Sequence, residues 1–158
     1  MEIFSLGTSN RTKEEFLEIL KNYKINLVVD VRHFPTSRLF PHFQKENLEK
    51  FLKEQKIEYF HLKELGGFRE GGYENYMKTK EFEKGLKKLI ELLSLARVAI
   101  ICAEKFPWKC HRAFISQKLE EFGIKTIHIL EKEKIWEPKK QPKKIKPKCQ
   151  KIKPAKND

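Results

Sequence analysis

Apolar residues along the chain keep two alternating rhythms. Short apolar or alternating runs at 2–6 (EIFSL), 26–31 (NLVVDV), 57–62 (IEYFHL), 97–102 (RVAIIC) and 125–130 (KTIHIL) read as strands. Between them the apolar positions fall three and four residues apart, as one buried face of a helix requires. Phe16, Ile19, Leu20 and Tyr23 form the first such face, behind a T-x-x-E capping box at Thr12 and Glu15, and this helix is predicted to end near Asn22. Leu48, Phe51 and Leu52 mark a second helix over about 45–55, and Phe82, Leu86, Leu89, Ile90 and Leu93 a third over 79–95. A fourth starts at Pro107 and continues through Phe114, Ile115, Leu119 and Phe122. The order β-α-β-α-β-α-β-α-β predicts an α/β protein with a mostly parallel five-stranded sheet and helices on both faces.

Two stretches break the rhythm. Residues 63–78 hold four glycines, Arg69, Tyr73 and Tyr76, and read as the most mobile part of the domain, either a surface loop or a substrate lid. From Pro138 onward lysine, proline and glutamine replace all periodicity, so the expected layout is one domain over 1–137 and a disordered tail over 138–158. Composition adds one point here: nine lysines against one aspartate give that tail +8 of the formal +12, leaving +4 for the first 137 residues. The basic balance thus belongs mainly to the tail, whose lysines suit nonspecific nucleic-acid affinity or simple solubility. No apolar run approaches the roughly 18 residues of a membrane span, and the N-terminus has no signal-peptide layout. With three cysteines, one embedded in a strand, the expectation is a cytoplasmic protein with no membrane partner.

The chemistry gathers where strands end. In a parallel sheet, ligands bind beyond the carboxyl ends of the strands, and three of these ends are unusually polar. They are Ser9-Asn10-Arg11 after the first strand, Asp30 and Arg32 at the second, and Cys102-Glu104-Lys105 with Cys110-His111-Arg112 at the fourth. The last trio is placed in the first turn of a helix, where unpaired amides favour an anion and lower a thiol's pKa. Glu104 and His111 are the candidate proton carriers and Cys102 or Cys110 the candidate nucleophile, while Arg32, Arg38 and Arg112 are candidates to hold anionic groups. Each has a plainer reading. Cys102 and Cys110 could pack as small hydrophobes, His111 could share a buried helix face with Ile115, and Asp30 with Arg32 could be a structural ion pair. Glu104 and Arg112 could be solvated surface charges. A metal held by Cys102, Cys110 and His111 with His42 or His61 is an alternative, but the C-x7-C-H spacing matches no standard zinc arrangement, and no cofactor is predicted. No familiar nucleotide-binding glycine loop is present.

These residues also carry a resemblance. GTSNRTKEEF at 7–16, VVDVRHFPTSR at 28–38, PHF at 41–43, IEYFHLKELGG at 57–67, YENYMKTKEF at 73–82 and CAEKFPWKCHR at 102–112 resemble, in this order, the uncharacterised family catalogued as domain of unknown function 488. The resemblance covers about residues 2–130. It implies that Ser9, Asn10, Arg11, Asp30, Arg32, Pro35, His42, Gly66, Gly67, Cys102, Glu104, Cys110, His111 and Arg112 are family positions, and it implies no particular reaction. The first expectation is therefore an enzyme acting on a phosphate-bearing substrate, a nucleotide or nucleic acid. The second is rhodanese-like sulfur transfer, because VVDVR at 28–32 is similar to that family's strand motif, although Arg112 lies ten residues after Cys102 rather than closing a short cradle. The third is a nucleic-acid-binding module without catalysis.

Overall fold

A computed structural model describes residues 1–138 of the chain, so all of the predicted tail except Pro138 lies outside the described residues. The elements follow the apolar rhythm: β1 (Glu2–Gly7), α1 (Lys13–Asn22), β2 (Leu27–Asp30), α2 (Lys45–Glu54), β3 (Glu58–His61), α3 (Tyr73–Tyr76), α4 (Lys80–Leu93), β4 (Val98–Cys102), α5 (Arg112–Glu120), β5 (Lys125–Glu131) and β6 (Lys134–Trp136). The capping box forms as predicted: Thr12 accepts from the Glu15 amide at 3.0 Å and the Glu15 carboxylate accepts from the Thr12 amide at 2.8 Å.

The sheet order is β3-β2-β4-β1-β5-β6. All neighbours run parallel except β5 and β6. Six strands rather than five is the first correction. β6 is only three residues long, in a stretch of alternating charge, and too short to show a period of its own; it is recruited as a hairpin partner of β5. Central strands β1, β2 and β4 are buried on both sides, which explains their unbroken apolar runs. Successive side chains then serve opposite faces. Val98, Ile100 and Cys102 join Leu86, Leu89, Phe114 and Ile115 of α4 and α5 on one face. Ala99 and Ile101 join Phe16, Leu20, Leu48 and Leu52 of α1 and α2 on the other.

The glycine-rich stretch corrects a second expectation. Residues 63–78 are not a loose surface loop: a 3-10 turn at Lys63–Leu65 and α3 hold it, and Tyr73 is fully buried. The Tyr73 hydroxyl donates to the Leu65 carbonyl at 2.7 Å, and the Tyr76 hydroxyl to that of Glu64 at 2.6 Å. Arg69 lies over the Tyr76 ring at 3.8 Å, and its Nε donates to the Gly66 carbonyl at 3.0 Å. Among the described residues no helix is long and apolar enough to cross a membrane.

Candidate functional site

The strand order makes β2, β4 and β1 consecutive, so the three polar strand ends singled out in the sequence lie side by side. The chain folds over them tightly. Gly7 ends β1, and a Cβ added there would overlap the backbone of Glu104 and Lys105. That absence lets the segment after β4 cross the end of β1, where the Thr8 amide donates to the Cys102 carbonyl at 2.7 Å and the Ser9 amide to that of Ala103 at 2.9 Å. Ser9 itself has φ 49°.

Beyond these ends lies a cavity of about 700 Å³. Thr8, Ser9 and Asn10 line it from β1, Arg32 and Ser37–Phe40 from β2, and Cys102–Lys105 with Lys109 from β4. Phe68 closes one side with φ 56°, a left-handed backbone that is costly for an aromatic residue. Among the described residues Glu104 is the one carboxylate in this lining, against Arg32, Arg38, Lys105 and Lys109. Its Oε2 accepts from the Phe106 amide at 3.2 Å, which fixes the carboxylate near its own turn. Lys105 is shared with Glu131 of β5 at 2.5 Å. Beside the lysines, Phe106 stacks on Trp108 at 5.0 Å, and Trp108 meets Trp136 at 5.0 Å.

Several predicted site residues turn out to be committed elsewhere. Arg32 is 1% and Asp30 0% exposed. Arg32 Nε donates to Asp30 Oδ1 at 2.9 Å and Nη2 to Oδ2 at 2.7 Å, and the Tyr59 hydroxyl donates to the same carboxylate. That is a buried ion pair made through Nε and Nη2, although Arg32 still reaches the cavity wall. Burial, then the Asp30 charge, pushes the Tyr59 phenol far up and keeps it a donor. Arg112 is fully buried; Nη1 donates to Ser5 Oγ at 2.7 Å and Nη2 to the Glu104 carbonyl, so it braces the loop over the cavity floor. Arg11 donates to the carbonyls of Gly7 and Leu130, both at 2.8 Å, and ties β1 to β5. His42 donates from Nε2 to the Arg11 carbonyl at 2.8 Å, and His61 likewise to that of Arg32 at 2.8 Å. His42 and His61 therefore do not complete the metal set considered from the sequence.

Cys110 and His111 are not in the first turn of a helix. Pro107 opens a 3-10 turn that ends at Lys109, Cys110 is extended, and His111 is the N-cap of α5. A proline suits the start of either helix type, so the sequence did not separate them. The outcome is a buried cluster rather than an exposed anion site: Cys102, Cys110 and His111 are 6%, 0% and 1% exposed. The contact with Cys110 and then burial push the Cys102 thiol well up. Gly67 packs against this cluster and Gly66 against His33.

Sequence reasoning missed Ser37, Phe40, Phe68 and Lys109 of the lining, together with Ser5 and His128 beneath it. Lys109 lies inside the KFPWKCHR run and was legible as charge, but nothing in the pattern aimed it at the cavity.

The family model described as Domain of unknown function DUF488 matches residues 12–119. The chain belongs to this family. No curated protein and no solved structure matches the chain. The matched span of the DUF488 chain holds Asp30, Arg32, Arg38, Phe68, the Cys102–Lys109 segment and Arg112, whereas Thr8–Asn10 and the β5–β6 hairpin lie outside it.

Proposed function

We propose that this DUF488 protein is an enzyme acting on a phosphate-bearing substrate, a nucleotide or the exposed end of a nucleic acid. The observation that carries this reading is the cationic lining of the cavity at the ends of β1, β2 and β4. Arg38 is exposed, and Lys109 is half-buried, so both can meet a phosphate without giving up a structural partner of the kind that holds Arg32, Arg11 and Arg112. Asn10 and Ser9 add uncharged polar groups to the lining. Phe106 and Trp108 beside Lys105 and Lys109 offer stacking surface for a base, which supports a nucleotide over a bare phosphate. Glu104 is the group in the lining suited to accept or donate a proton at a reacting oxygen. His111, although predicted in that role, is enclosed and held at Nε2 by the Val31 carbonyl.

Calorimetric titration of the full chain with a nucleoside monophosphate and with a short single-stranded oligonucleotide tests this reading. Binding is expected for at least one ligand, reduced at least about tenfold in the Arg38→Ala, Lys109→Ala double variant. A chain that binds neither ligand at low salt, or a double variant that binds as well as wild type, would end it.

A further inference from the structure

Beside the cavity floor the fold builds a second constellation that the phosphate reading leaves unused. Cys102 comes from the end of β4, while Cys110 and His111 lead into α5; their Sγ, Sγ and Nδ1 atoms all lie within 4.8 Å of one another. Nδ1 of His111 is 3.9 Å from Cys102 Sγ and 3.5 Å from Cys110 Sγ. A tetrahedral cation about 2.3 Å from sulfur and about 2.0 Å from nitrogen sets sulfur–nitrogen separations of about 3.5 Å and a sulfur–sulfur separation of about 3.8 Å. The two sulfur–nitrogen separations are already near this value, and the two sulfurs are no more than 4.8 Å apart.

The imidazole is also oriented as a ligand. Nε2 lies 2.7 Å from the Val31 carbonyl, which can only accept, so Nε2 carries a proton and the tautomer that binds a metal would present its lone pair on Nδ1, toward the thiols. A carbonyl fixing the distal nitrogen is the usual support of a metal-bound histidine. The ring plane is held as well. A Cβ on Gly67 would stand 3.0 Å from Nδ1 and 3.3 Å from each adjacent ring carbon, so the glycine backbone packs flat on that face. Tyr73 packs at 5.2 Å between ring centroids. Cys102 is at once a member of the trio and a wall of the cavity, so a three-residue set here leaves a fourth position on the cavity side.

We propose that Cys102, Cys110 and His111 form a site for a borderline-soft, zinc-class divalent cation, with two thiolates and one imidazole as ligands and the fourth position toward the cavity. Two sulfurs and one nitrogen favour zinc over magnesium or calcium, which prefer oxygen. On binding, each thiol gives its proton to solvent and no electron is transferred. The site stands apart from the phosphate reading, because metal uptake is measured on the chain alone.

Titration of the reduced full chain, in the Cys149→Ser background, with cobalt(II) as a spectroscopic stand-in tests the site. One equivalent is expected to bind with the visible bands of a tetrahedral ion and a near-ultraviolet thiolate charge-transfer band of two-sulfur intensity. Zinc is expected to displace it, and Cys102→Ser or Cys110→Ser to weaken uptake at least tenfold. No stoichiometric uptake, a six-coordinate spectrum without thiolate bands, or the intensity of a single sulfur would overturn the proposal. These outcomes are read on a chain with both cysteines in place, so they decide the matter even where a serine variant does not fold.

Discussion

At the scale of single residues, the floor under the site works by fixing protons in place. Arg112 donates to Ser5 Oγ at 2.7 Å, and that hydroxyl lies 2.9 Å from Nδ1 of His128, a buried ring against Trp136. Burial, then the Arg112 charge, pushes the His128 pKa down to about 3. Above pH ~6.5 the ring is neutral in the folded and unfolded chain alike, so it does not affect stability. Below that, the unfolded chain takes up a proton that the folded chain refuses, and stability is lost as pH falls from 6.5 toward 3. Urea unfolding at pH 7 and 4.5 should show wild type losing about 2 kcal/mol more than His128→Gln, which keeps a partner for Ser5. Equal losses in both proteins would remove His128 from the acid sensitivity of the fold.

Among elements, the close crossing of β1 by the segment after β4 is the joint on which the cavity depends. Replacing Gly7 by alanine puts a methyl group into the backbone of Glu104 and Lys105, where no side chain can swing aside. The expected cost is about 3 kcal/mol in thermal unfolding, together with a displaced Glu104. A Gly7→Ala protein as stable as wild type would show that the crossing is looser than described. At this scale the sequence was most readable where burial is continuous. Val98 to Ile101 and Leu27 to Val29 are buried on both faces of a parallel sheet, and their unbroken apolar runs say so. It was least readable where one signal masked another. The glycines of 63–78 indicated a loop, while Tyr73 and Tyr76, whose hydroxyls reach backbone carbonyls of the same stretch, are what pin it. The polar strand ends were legible as a group, but their adjacency depends on β4 inserting between β2 and β1, a long-range pairing that no local pattern encodes. For the same reason Arg112 read as an anion grip, although burial and Ser5 give it a bracing role.

For the whole molecule, charge and topology separate two sources of attraction. The first 137 residues carry a modest positive balance, with Arg32, Arg38, Lys105 and Lys109 lining the cavity, and the last 21 residues carry +8. β6 decides how the two relate. It runs antiparallel to β5, pairing Lys134 with Glu131 at the cavity end and Trp136 with His128 further back. The chain thus reverses at the rim, and β6 runs back along β5 away from the mouth. Stopped-flow mixing of an oligonucleotide with full-length protein and with a chain ending at Glu137 should show slower association without the lysines and an unchanged dissociation rate. A faster dissociation rate in the shortened chain would mean that the lysines share in holding the ligand. The hairpin works as a hem: the last described strand folds back along β5 and lays Trp136 against the buried His128 ring.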